Sequence, residues 1–211
     1  MIQYCEQLTA INGFEPWNAF SNAAFVVAAS AAWGRARATQ IALRGGVLLL
    51  VLLALAIGIG SFLWHATHAA WAELADVIPI LCFVLVYLYN ALTVLLRYRP
   101  RTALAGCITM VIAIVAVLYF ARFALNGSAA YLPVLGGVML VASAASGPQA
   151  KHTAGLAALV FAVSLCARSA DLLGCPSFPI GLHWLWHLCN GLVIYLAQKS
   201  LIDAYAAPRA A

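Results

Sequence analysis

VLLLVLLALAIGIGSFLWHATHAAWAELADVIPILCFVLVYLYNALTVLL (47–96) consists of two apolar runs joined by a short segment that carries all of its histidines and carboxylates: His65, His68, Glu73 and Asp76. Each run approaches the roughly 20 apolar residues that cross the hydrocarbon core of a bilayer. The same alternation of apolar run and polar punctuation continues in both directions. It places spans at 17–34, 43–65, 73–96, 103–123, 131–147, 152–170 and 182–202. The expected fold is an all-α membrane protein, a seven-transmembrane helix bundle forming a single domain over 1–211. Residues 1–16 would be an N-terminal segment and 203–211 a tail.

Composition supports lipid as the main solvent. Of the 211 residues, 65% are hydrophobic and 8% charged, against about 25% charged in a soluble domain. The net charge of +5 does not point to nucleic acid, because the basic residues are scattered between apolar runs and read as topology signals. Arg35, Arg37, Arg44, Arg97, Arg99, Arg101, Lys151, Lys199 and Arg209 fall on one side of the predicted bundle, and only Arg122 and Arg168 on the other. The richer side is cytoplasmic by the positive-inside rule. The N-terminus then faces out and the C-terminus faces in, which an odd number of spans requires. The first sixteen residues lack the apolar core of a cleavable signal, so the first span is expected to direct its own insertion.

The ionisable groups of the spans converge on the outward end. His65 ends the second span, Asp76 begins the third, and His183 and His187 begin the seventh. Such groups cost free energy near lipid unless they pair or bind something. His183 and His187, four apart, share one face of a helix. With His65 they supply three nitrogens and leave a fourth position open, the pattern of catalytic rather than structural zinc. Ser61 lies one turn deeper than His65 on the same face. From these positions Asp76 can take a proton from a metal-activated water, and Ser61 can donate to a developing oxyanion. Metal, base and donor together suit hydrolysis of an amide or ester.

Plainer readings exist for each part. Two histidines four apart also occur in an interfacial belt, a serine in a span commonly bonds the carbonyl four residues back, and an acidic residue at a helix start favours the dipole. His68 and Glu73 read as rim residues, with His68 a rival ligand, and His152 falls at the opposite end. Trp17, Trp64, Trp71, Trp184 and Trp186 read as an interfacial aromatic belt. A receptor or regulatory protein on the same scaffold is the alternative function. A retinal protein would have only Lys199 to use, near the wrong end, and a haem held by His65 and His183 would show as a visible absorption band.

The blocks GSFLWHATHAAWAELADVIPI (60–80) and GLHWLWHLCNGLVIYL (181–196), with YCEQ (4–7) and EPWNAFSN (15–22), resemble the alkaline ceramidases and their bacterial relatives. These lie within the superfamily of seven-span zinc hydrolases that includes the adiponectin-receptor-like proteins. The resemblance implies zinc ligation by His65, His183 and His187, with Asp76 as proton acceptor and Ser61 as oxyanion stabiliser. It also implies hydrolysis of the ceramide amide to a sphingoid base and a fatty acid, the membrane lipid entering sideways through a chain-shaped cavity. A bacterial inner membrane, with the site near its outer face, is the expected location.

The resemblance further implies a calcium ion near the N-terminus, because Glu6 and Glu15 match two of the acidic positions that hold one in eukaryotic members. Gln3 stands where an Asp is expected, however, and Leu8 where an Asn would supply an oxygen. The alternative is that Glu6 and Glu15 cap helices or pair with Arg168 or Arg122. Of the six cysteines, Cys82, Cys107, Cys166 and Cys189 fall inside spans as packing residues. Cys5 and Cys175 map to outward segments, where a disulfide between them can form.

Overall fold

The structure, a computed structural model, describes residues 4–10, 13–43, 46–145 and 147–207. Gln3, Arg44 and Arg209 lie outside the described residues. Two short helices, α1 (Cys5–Thr9) and α2 (Pro16–Ser21), lead into seven longer ones: α3 (Ala23–Ala38), α4 (Val47–Thr67), α5 (Ala70–Asn90), α6 (Pro100–Ala121), α7 (Leu132–Ala144), α8 (Pro148–Ala170) and α9 (His183–Ala206). Prolines open several of them. Pro16, Pro100 and Pro148 take the first helical position, where the missing N–H has no partner to lose.

The helix order matches the seven apolar runs, but the elements are not equally fit for lipid. Among the described residues, four helices are long and apolar enough to cross a membrane: α4, α5 with its π-helical last turn to Leu95, α6, and α8 with the 3₁₀ turn Asp171–Gly174. The other three depart from the expectation for identifiable reasons. The first span is divided where Asn22 separates α2 from α3, which leaves 16 residues in α3. The start of α7 is taken up by a 3₁₀ turn at Ser128–Tyr131, which leaves 13 residues in the helix. α9 has the length but carries polar side chains, and it tolerates them because His183, His187, Gln198 and Ser200 are buried inside the protein.

α9 is accordingly the central helix, packed on α8 and α3, while α4 packs on α5 and α3. The main core runs between them through Phe25, Leu50, Ala54, Ile57, Phe83, Ile194 and Leu201. α6 is peripheral and presents Leu104, Ile108, Ile112 and Val115 outward, as lipid contact requires. One end of the bundle gathers polar structure around Arg35, which pairs with Asp203, itself 2.7 Å from Lys199 Nζ. The functional residues lie at the other end.

The α4–α5 contact sets the geometry there. Pro79 has no N–H, so the carbonyl of Ala75 four residues earlier is left without its helical partner. That carbonyl lies against Gly60, where a Cβ would overlap it. The two backbones therefore touch at the level of Ser61 and Asp76, the residues that follow Gly60 and Ala75. Gly60→Ala is expected to force the helices apart and destabilise the protein by about 1–3 kcal/mol, as overpacking does. Gly155→Ala, with no neighbour near its added Cβ, should not lower the melting temperature. Thermal melting of the two variants in detergent checks this.

Candidate functional site

The last turns of α4 and the first turns of α9 bring His65, His183 and His187 together. All three are buried, at 1–2% exposure. Their ring centroids are 4.6–5.1 Å apart, and one ligand atom from each lies within 4.8 Å of the others. Gly181, at φ +61°, turns the chain into α9. The Asp171 carboxylate then caps that helix, accepting the N–H groups of Leu182 and His183 at 2.6 and 2.9 Å, and that of Cys5 at 2.8 Å. This carboxylate fixes where His183 begins the helix.

Hydrogen bonds set the tautomers. His65 Nδ1 lies 2.9 Å from Glu15 Oε2 and can only donate to that carboxylate. Ser21 Oγ gives its proton to the Asn18 carbonyl at 2.9 Å and so accepts from His187 Nδ1 at 2.8 Å. Both rings are left with the Nε2 lone pair, held in place by an outer partner, as metal-binding imidazoles usually are. His183 Nδ1 is buried and has no hydrogen-bond partner among the described residues. An orphaned buried nitrogen beside two oriented imidazoles fits a metal ion of nitrogen preference such as zinc.

Ser61 is buried one turn from His65, and its hydroxyl is hydrogen-bonded to Asp76 across the α4–α5 contact. The Oδ1 atom of Asp76 is sealed from solvent without a partner among the described residues. A stack of rings closes the other flank. Tyr4 lies on His183 with centroids 3.7 Å apart, and its hydroxyl accepts from Arg168 Nη1 at 2.8 Å. The Arg168 guanidinium also sits 5.2 Å from the Trp186 ring and 5.6 Å from that of Tyr131. Burial pushes the Tyr4 hydroxyl up to about 12, against the pull of Arg168.

The two N-terminal carboxylates are occupied. Glu6 accepts the backbone N–H groups of Trp17 and Asn18, both at 2.8 Å, and so caps α2. Glu15 takes Asn18 Nδ2 at 2.6 Å, and its Oε1 lies 2.7 Å from His68 Nε2. Burial raises both carboxyls, that of Glu15 to about 7, even though Asn18 and His68 pull it down. Nitrogen groups thus approach both carboxylates, whereas calcium takes six to eight oxygens. Leu8 is exposed and offers none from its side chain. Helix capping describes Glu6, as the alternative reading expected. Neither carboxylate pairs with an arginine: Arg168 bonds Tyr4, and Arg122 stacks on Phe123. Cys5 and Cys175 are joined by a disulfide with Cα atoms 5.3 Å apart, which ties the N-terminal segment to the turn before α9.

Several sequence expectations need correcting. His68 is only partly exposed, with Nε2 2.7 Å from Oε1 of buried Glu15; Glu73 and His152 are exposed. Trp17 and Trp71 are exposed as a belt requires, but Trp64 and Trp186 are buried, the latter against Arg168. Cys82 and Cys166 are exposed rather than packed. Asp171, Ser21, Tyr4 and Arg168 were missed as parts of the site. Asp171 and Ser21 carried a signal, since each is a polar residue in or beside an apolar run at the outward end.

An apolar cavity opens next to this cluster. It is lined by Phe25, Ile57, Ile80, Phe83, Tyr87, Met110 and Trp186 among others. Ile57 lies one helical turn from Ser61, and Ile80 one turn from Asp76. Phe25 lies 6.2 Å, ring to ring, from His187.

Residues 1–204 match the protein family described as Ceramidase. No curated protein matches the chain.

Asp171→Ala is expected to leave three N–H groups uncapped, to cost about 1–2 kcal/mol in line with lost helix caps, and to loosen His183. Asp171→Asn keeps one acceptor and should lose less. Melting temperatures of the two variants, measured with and without added zinc, check the order.

Proposed function

The chain belongs to the ceramidase family, and from that premise we propose that it is a zinc-dependent hydrolase within the membrane. It cleaves the amide of ceramide or a ceramide-like lipid, releasing a sphingoid base and a fatty acid. Membership implies a hydrolase acting on amide bonds. The observation that carries the finer reading is the set of three buried imidazoles from α4 and α9, with ligand atoms within 4.8 Å of one another.

His65, His183 and His187 would hold the ion. Zinc bound there would bring a water's pKa near 7 and polarise the amide carbonyl. The protein's own groups do the rest. Asp76, with its unpaired Oδ1, takes the proton of the attacking water. Ser61 gives its one proton to Asp76 in the resting site. As Asp76 becomes protonated it no longer needs that hydrogen bond, and the hydroxyl is released to donate to the amide oxygen as charge develops on it. Asp76 then passes its proton to the leaving nitrogen, which departs as the amine while the acyl carbon keeps the water's oxygen as a carboxylic acid. Glu15 and Ser21 hold His65 and His187 in orientation throughout. The cavity bordered by Phe25, Ile57 and Ile80 holds an acyl or sphingoid chain.

The distribution of Lys and Arg supports an extracytoplasmic site, nine of eleven lying toward the opposite end of the predicted bundle.

Purified protein should contain about one zinc per chain, as an open three-ligand site requires, and should release fatty acid from a ceramide in a lipid-amide screen. His183→Ala should lose both metal and turnover. Asp76→Asn should keep the metal and lose about 10²–10⁴-fold in turnover. Full activity in a variant lacking all three histidines would overturn the reading.

A further inference from the structure

Glu15 makes more contacts than orienting His65 demands. Its side chain is completely buried. One oxygen serves His65 and Asn18, and the other faces His68 Nε2 at 2.7 Å. His68 in turn has its Nδ1 3.4 Å from Gln7 Nε2, and its ring meets Trp64 edge-on at 5.1 Å. With Gln7 Nε2 beside Nδ1, the ring presents Nε2 to Glu15 in close contact, without the alignment of a hydrogen bond.

The backbone is bent to allow this. His68 caps α4 in the left-handed region, φ 50°, with its N–H on the Trp64 carbonyl at 2.8 Å. A residue with a Cβ is uncommon there, and glycine is the relaxed choice. A glycine at 68 would satisfy the backbone but would remove the ring nitrogen that lies against buried Glu15 Oε1.

We propose that His68 is a positioning residue for the metal centre. Its Nε2 takes the position against Glu15 Oε1 that a cation would otherwise have to hold, and so keeps Glu15 with its other oxygen on His65. The relay runs Gln7, His68, Glu15, His65, and the centre needs no second cation. The inference rests on the proposed zinc site but not on the identity of the lipid.

The test is made on the zinc-loaded, full-length protein in detergent, by following zinc transfer to a competing chelator. Wild-type protein should hold zinc equally well with EGTA, with added calcium, or with neither. His68→Gly relieves the left-handed strain, so a purely structural role predicts an unchanged or higher melting temperature and unchanged zinc retention. The relay predicts about tenfold weaker zinc retention, the low end for loss of an outer partner. His68→Gln, which keeps a donor, should fall between the two. His68→Asp sets a second carboxylate against Glu15, and its zinc retention should be restored by calcium, which favours such oxygens. Zinc held by His68→Gly as tightly as by the wild type would overturn the proposal, as would wild-type retention that depends on calcium. Wild-type protein that binds no zinc would overturn both the metal centre and the relay. Zinc retention that behaves as expected, with no lipid amide cleaved, would leave the relay standing and refute only the substrate assignment.

Discussion

Three imidazole rings sealed from water form the constraint around which the rest of the protein is arranged. A buried ring nitrogen must find a partner or cost free energy. Two of the rings are answered on Nδ1, by Glu15 and Ser21, and the third keeps a bare nitrogen. What remains is a set of lone pairs gathered around one point. The apolar helices matter chemically because they bury that cluster, where a fixed charge or dipole acts more strongly than in bulk water.

The positioning comes mostly from short, irregular pieces of chain. α1 and α2 are too short to be stable alone, yet they supply Tyr4, Glu6, Glu15, Asn18 and Ser21 to the site. Their own free termini are satisfied from outside, by Asp171 on the Cys5 N–H and by Glu6 on α2. Asp171 serves two elements at once, because its carboxylate also caps α9. The long helices provide depth and the cavity, while these segments determine which way each ring nitrogen points.

This division explains what could be read from the sequence. Apolar runs and the four-residue spacing of His183 and His187 are periodic signals, so helix order and the three-histidine group were legible, as was the neighbourhood of Ser61 and Asp76. The limits of α3 and α7 were not, because a break at Asn22 and a 3₁₀ turn at Ser128–Tyr131 leave little mark in composition. Partners that join residues far apart in the chain were also hidden. Asp171 capping Leu182 and His183, and His68 reaching Glu15, depend on how loops fold back, and no local pattern encodes that. The burial of Trp64 and Trp186 was misread because tryptophan suits both an interface and a packed wall.

The connectivity of the histidines has a consequence for how the protein is made. His65 belongs to the first third of the chain and His183 and His187 to the last helix, while Tyr4 and Glu15 come from its very beginning. Contacts between such distant parts form late, after the loop between them has been closed. During synthesis the early helices therefore precede their partners, and His65 is made long before His183 and His187. The three-histidine group is therefore absent from any product that lacks the final helix, and it forms only when α9 packs against α3 and α4.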